Sequence, residues 1–504
     1  MKWNKKIPVI FCYTILILFE TVCCTKKSTE PNSTNTPFKG GEFFISKSGN
    51  DSGDGSFENP WASFNYALNQ IKAGDTLTVL AGNYYINEMI VISLKGTDTR
   101  RITIRGMENE NAVIYADQAN VGWGSEYPYT QGTIQIEQSQ YVTIKNLIVV
   151  NSHMAGININ MSSYIAVINC TSRNSFCPGI AAWQGCSEIR ILGNTVINAN
   201  DMDMSWEPYD GSEAPHEAIS MAGPHNFEVA YNLVYNCQKE GIDCKEPCAF
   251  GNVHHNYVHN CARQGLYIDG WFDELHDIEM HHNVVHDCEA GIAVSSEDGP
   301  NTKNLSIHHN LVYNNRATGI FFSRWGADNP RENVEVYNNT FYHNGYGWSS
   351  NGDPNYWLFG GCYFFTTNLK NIMIRNNIFA ANKQFEIGYS QAYNQGDFSS
   401  KQIMIDYNCV YDINSVTYPF YMGTWTMDSV YVTTGSEAVL SDPLFRNVSG
   451  QDFRLQEGSP AIDAGHPDEK YNDPDGSIND IGAFSTDDIE TYGWWKLNFP
   501  PEIK

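Results

Sequence analysis

An Asn-X-Val motif recurs through the middle of this chain and leaves few folds open. It stands at Asn232, Asn256, Asn283 and Asn310, as NLVYNC, NYVHNC, NVVHDC and NLVYNN, and Asn339 holds the next slot; the steps are 24, 27, 27 and 29 residues. Between these motifs lie four related segments: GIDCKE at 241–246, GLYIDGW at 265–271, GIAVSSE at 291–297 and GIFFSRW at 319–325. Each reads Gly, then apolar residues at the first and third following positions, which is strand period with one face in and one face out. Short strands repeating at this length, without a helical period, specify a solenoid whose coils stack about 4.8 Å apart.

That geometry turns sequence positions into columns. The second residue after each Gly points outward: Asp243, Tyr267, Ala293, Phe321. So does the fourth: Lys245, Asp269, Ser295, Ser323. Glu246, Trp271, Glu297, Arg324 and Trp325 follow at the strand ends. A structural coil needs no such set of acids, tryptophans and cations on its outer face, so this face is expected to be the floor of a substrate cleft. Asn146, Asn169 and Asn194 are read as earlier members of the Asn slot. The step from Asn194 to Asn232 is long, and its excess holds an acidic, aromatic insertion at 201–210 (DMDMSWEPYD). A second excess, before Asn377, holds Tyr346, Trp348, Tyr356 and Trp357. Insertions in a solenoid become loops on one face, here expected to wall the cleft.

The start of the chain is a targeting signal. Residues 1–6 are basic and residues 7–19 form an apolar stretch too short to span a bilayer. Cys24, after this stretch, is similar to the lipidated Cys of a bacterial lipoprotein; a plain cleaved signal is the alternative. The domain reading is a signal over 1–23, a polar tether over 24–40, a solenoid over 41–485 with a closing segment at 441–485, and a tail over 486–504. The net charge of −26 argues against nucleic-acid partners. The expected setting is the cell envelope, with a lipid anchor in the outer membrane (or a periplasmic or secreted form), a carbohydrate partner and a monomeric state.

The order Phe43-Phe-Ile-Ser, Ser48-Gly-Asn-Asp, Pro60-Trp-Ala, a short helix near 64–71, then Gly74-Asp-Thr-Leu-Thr-Val resembles the entry segment of pectate-lyase-like β-helix proteins. The resemblance implies a right-handed single-stranded parallel β-helix with a short N-terminal capping helix over residues 41–106, all-β otherwise.

Several ladders imitate sites. Cys237, Cys261 and Cys288 share one slot and are read as stacked thiols, with an inter-coil disulfide as the alternative. The His-His-Asn runs at 254, 281 and 308 are read as stacked structural histidines rather than metal ligands. Asp473, Asp475, Asn479 and Asp480 form either an Asx-turn network or a Ca²⁺ site.

The carboxylates carry the chemistry. Glycoside hydrolysis needs two carboxyl groups flanking one bond, about 5–5.5 Å apart when retaining and about 6.5–9.5 Å when inverting. Coil and residue spacings put the Cα atoms of Glu246 and Asp269 roughly 6 Å apart, and Asp243–Asp269 and Asp269–Glu297 near 8 Å. Lys245 is placed to hold one acid ionised while a desolvated neighbour keeps its proton. His216 and Glu217 on the preceding coil, then Glu246, then Asp269, resemble the layout of the β-xylosidases built on a β-helix. That resemblance implies Glu246 as nucleophile and Asp269 as acid/base, with Asp and Glu exchanged relative to that family. Either Glu217 or Ala218 takes the Gly slot. The candidate catalytic set is thus Asp269, Glu246, Glu217, Asp243 and Glu297; the candidate substrate-binding set is His216, Lys245, Tyr267, Trp271, Arg324 and Trp325. A hydrolase of this kind needs no cofactor. The rival reading is a polysaccharide lyase with Lys245 as base and Ca²⁺ held by acids. A non-catalytic glycan-binding protein would keep the tryptophans without needing paired acids.

Overall fold

The computed structural model describes residues 40–122, 130–347, 360–411, 418–422, 425–485, 492–496, 499–501 and 503. The signal, Cys24, most of the tether, Trp348, Tyr356 and Trp357 lie outside the described residues. Each coil supplies three short strands, for example Ser163–Ile168, Thr171–Ser175 and Ile180–Trp183. These build three long sheets: sheet A with 13 strands, sheet B with 12 and sheet C with 13, in that order along each coil. Pairing between coils is parallel; antiparallel strands are added at the C-terminal edge of sheet C, Tyr418–Met422 and Trp425–Val432, and in a separate two-stranded sheet, Phe445–Asn447 with Asp452–Leu455.

The alternation read from the sequence is what builds the interior. In sheet C, Ile157, Ile180, Ile219, Ile242, Leu266, Ile292, Ile320 and Cys362 stack in one inward column, and all are fully buried. At the turn between sheets A and B a second stack is polar. Asn194, Asn232, Asn256, Asn283, Asn310, Asn339, Asn377 and Asn408 are buried, and each Nδ2 donates to the next Oδ1 at 2.9–3.1 Å. A buried amide must find partners, and a repeat of constant register supplies them one coil away. Asn146 and Asn169 do not belong to this ladder. They occupy the left-handed slot before it (φ 55° and 50°), beside Gly193 and Tyr231, and Cys170 holds the ladder position, its N–H bonded to Asn194 Oδ1. Asn suits both slots, since it tolerates left-handed backbone as well as side-chain pairing, so residue type alone misplaced the register by one.

The helix Phe64–Leu68 covers the N-terminal end with Phe64, Ala67 and Leu68 buried. The segment after 441 does more than close the far end. It runs back along the outside of sheet B, where Asn338 Nδ2 donates to Asn479 Oδ1 and Asp480 O, and Phe453, Phe484 and Trp495 pack with Val284, Leu311 and Tyr313. Further along, Ile503 N donates to Asn169 Oδ1. Asp473, Asp475 and Asp480 accept backbone N–H groups from Asp480, Ser477 and Asp463, which is the turn network. Among the described residues no group of three or more His, Cys, Asp or Glu is placed to hold a metal. Cys237, Cys261 and Cys288 are buried free thiols.

Candidate active site

Register in sheet C sets Ser220, Asp243, Tyr267, Ala293 and Phe321 in one outward column, and Ala222, Lys245, Asp269 and Ser295 in the next. These are the columns expected from the Gly spacing. The face is not open, however. Asp243 is 0%, Lys245 2% and Asp269 4% exposed. Residues at the strand ends fold back over it. The Trp271 ring covers Lys245 Nζ at 5.4 Å. Trp325 packs edge-on against Tyr267 and Phe321. Tyr267 donates its hydroxyl to Glu297 Oε1 at 2.8 Å. Tyr267 and Lys245, expected to touch substrate, are packed into the floor as deeply as Asp243 and Asp269. Glu246, Glu297 and Trp325 are half-buried at the rim, and Trp271 (38%) and Arg324 are exposed. The Arg324 guanidinium lies over the Phe365 ring at 4.8 Å.

Ala218 takes the Gly slot, since Ile219 pairs with Ile242. Glu217 thus precedes the strand and turns its buried carboxylate into the same site. Its Oε1 lies 3.1 Å from Lys245 Nζ and 3.9 Å from Lys239 Nζ, and Ser220 Oγ donates to its Oε2 at 2.8 Å. One coil on, Glu240 pairs with Arg263, which also pairs with Glu213. His216 and Glu246 both hold left-handed backbone, φ 62° and 57°. Such conformations cost about 1–3 kcal/mol in non-glycine residues and persist where surrounding structure imposes them, often at functional sites. Glu246 occupies the position that glycine fills one coil earlier, at Gly223 (φ 92°).

The acids divide by environment. Burial opposes ionisation of Glu217, but Lys245 and then Lys239 hold its carboxyl down at about 2. Burial, then the Glu217 charge and Asp269, push Asp243 well above the ordinary carboxylate range. Burial and then Glu297 do the same to Asp269, against the pull of Lys245. Glu246 and Glu297 are raised chiefly by burial. Lys245 is raised although burial acts the other way, because Glu217 and the neighbouring acids favour its charge. His216 is held down at about 3, by burial and then Lys245, and is neutral. Asp243 Oδ1 and Oδ2, Asp269 Oδ1, Glu246 Oε2, Gln264 Oε1 and Ser295 Oγ are buried without a protein hydrogen-bond partner. One ionised carboxylate and two proton-retaining carboxyls on adjacent coils can give and take protons at a single bound group.

Residues 43–247 match the family model described as Pel9A-like, right handed beta helix region. The fold is the right-handed parallel β-helix of pectate-lyase-like proteins. A protein of Bacillus subtilis (strain 168), described as uncharacterized protein YwoF, is 27% identical over 490 residues, covering 86% of this chain and 94% of its own. The crystal structure of pectate lyase Pel9A aligns over 89% of this chain and 97% of its own, at 16% identity and a TM-score of 0.49. A structure described as a glycoside hydrolase aligns over 67% of this chain and 93% of its own, at 10% identity and a TM-score of 0.43.

The Pel9A-like region ends between the candidate acids: Glu217, Asp243, Lys245 and Glu246 lie inside it, Asp269 and Glu297 beyond it. It also contains a residue that sequence reasoning passed over. Trp183 stands in the outward column of Lys245 and Asp269, through Ala222. The signal was present: GIAAW at 179–183 repeats the same Gly-apolar pattern, with Trp at the fourth following position. Glu240 and Gln264, buried immediately before their strands, lie outside any alternation pattern and had no comparable signal.

Proposed function

We propose that the protein is a carbohydrate-active enzyme, a β-xylosidase-like glycoside hydrolase acting on a plant or algal oligo- or polysaccharide at the carboxylate face of sheet C. The observation that carries this is the geometry of sheet C, which sets Glu217, Glu246, Asp269 and Glu297 on successive coils around one buried ammonium, Lys245 Nζ lying 3.1 Å from Glu217 Oε1. Environments that push carboxyl groups apart, as here for Glu217 and Asp269, assign acid and base roles. Asp269 gives its proton to the glycosidic oxygen as the bond to the anomeric carbon breaks. Glu246, half-buried at the rim of the preceding coil, attacks that carbon or takes the proton of the attacking water; the carboxyl separation in the bound state decides which. Unpartnered buried acceptors along the face suit a ligand rich in hydroxyl donors, and Trp271 and Trp325 suit the apolar face of a sugar ring.

The Pel9A-like match favours a second reading, a polysaccharide lyase with Lys245 as base. Against it, Glu217 and the neighbouring acids hold Lys245 charged, and an ammonium cannot abstract a proton. The same proposal sets the enzyme outside the cytoplasmic membrane, anchored through a lipid on Cys24. The test is a screen on plant and algal glycans, with and without chelator. New reducing ends without ultraviolet-absorbing product support the hydrolase; an unsaturated product lost with chelator supports the lyase.

A further inference from the structure

The outward column that holds Lys245 and Asp269 continues toward the N-terminus as Ala222 and then Trp183. Trp183 is half-buried, and its ring is held from two sides. Its Nε1–H donates to Asn158 Oδ1 at 2.5 Å, and His216 meets it edge to face, ring centroids 4.6 Å apart at 77°. Asn158 is itself fixed by Gln135. His216 ends the long insertion after Ala199 and returns the chain to sheet C through a left-handed residue. A large, partly exposed aromatic ring locked by two polar neighbours is a preorganised apolar platform.

We infer that Trp183, braced by Asn158 and His216, is a distal stacking subsite for an uncharged glycan chain running along the solenoid axis toward Asp269. This rests on the reading of sheet C as a glycan site and deepens it from a sugar to a chain. Trp183 and Asp269 are three coils apart, about 14 Å at the coil spacing. One sugar ring bound at the acids does not span that distance. Between them the column narrows to Ala222 and then meets Lys245 under Trp271, so two tryptophans flank a low step on one line. The face along this path is rich in acids and its ammonium, Lys245, is already paired with Glu217 at 3.1 Å, which is why the chain is assigned as uncharged rather than a polyuronate.

The test uses the full-length protein and xylo- and cello-oligosaccharides of two and six units, with dissociation constants from calorimetry and cleavage followed in parallel. The parent should bind the six-unit probe of one series at least about tenfold more tightly than its two-unit probe, the scale of one stacked ring. In Trp183→Ala that ratio should fall to about threefold or less. Trp183→Phe, which keeps a ring and loses the bond to Asn158, should lie between, and the melting temperature reports whether each variant is folded. An unchanged ratio in folded Trp183→Ala overturns the subsite and leaves the hydrolytic reading standing. A parent that shows the chain-length preference and its loss in Trp183→Ala, yet cleaves nothing, supports the subsite and removes the hydrolysis. A parent that binds no probe overturns the subsite.

Discussion

Lys245 and Glu217 lie on adjacent coils with ammonium and carboxylate 3.1 Å apart, and both side chains are almost wholly buried. The pair shapes the electrostatics of the face: it supplies a buried positive charge beside Asp243, Glu246 and Asp269, and it explains why Lys245 is unfit to be a free base. Breaking a buried pair by removing one partner costs about 3–5 kcal/mol, because the other charge is stranded. Lys245→Met should lose stability on that scale in denaturant unfolding. Adding Glu217→Gln to it should restore most of the loss. A single variant as stable as the parent would remove the pair from this role.

The asparagine ladder should be as demanding. Asn283 accepts from the backbone and side-chain amides of Asn256 and donates to Val253 O and Asn310 Oδ1. Asn283→Ala strands several buried groups at once, each worth about 1–3 kcal/mol. A loss of at least about 3 kcal/mol is expected, measured by urea unfolding.

Acid should weaken the solenoid at its histidine ladders. His254, His281 and His308 stack in one column, and His255, His282 and His309 in the next. Each coil joins its pair through Nδ1 atoms 2.8–2.9 Å apart. Glu228, Asn252 and Glu279 accept from the outer imidazoles, and Tyr231, Tyr337 and Trp494 pack at the ends and side. Burial, then neighbouring histidines, hold His255 at about 3, His281 at about 2 and His282 at about 4. Unfolded histidines titrate near 6.5, so the unfolded state binds more protons below that pH and stability falls as pH falls. His281→Tyr, the residue type that Tyr337 brings to the same column, should flatten the decline of melting temperature between pH 6.5 and 4. An unaltered slope would contradict the assignment.

Location has its own test. Cys24→Ala should move the protein from the membrane fraction to the soluble fraction; persistence in the membrane would exclude the lipid anchor.

Much of the fold was legible because a solenoid repeats its own rule. Gly241, Gly265, Gly291 and Gly319 set the strand phase, and the phase placed Asp243, Lys245 and Asp269 in their true columns. What the sequence left hidden is what lies across coils and above the sheet. Trp271 and Trp325 were expected to bind substrate from the strand ends of the cleft floor, but long side chains there reach back over their neighbours and bury Lys245 and Tyr267. Glu217 could be assigned to either of two phases, because Ala218 stands where glycine was expected. The path of residues 441–485 along sheet B depends on single contacts such as Asn338 with Asn479, which no periodicity announces.

The central claim is that Asp269 carries the proton the reaction needs, and Asp269→Asn tests it most directly. Asparagine is close to isosteric with the protonated acid, so the variant should melt within a few degrees of the parent even though the site is buried. A positioned acid is worth about 10²- to 10⁴-fold. The account predicts a fall in kcat of at least that lower figure on the glycan that the parent cleaves, and a basic limb in the parent's pH profile above the ordinary carboxylate range. A folded Asp269→Asn variant as active as the parent would contradict it.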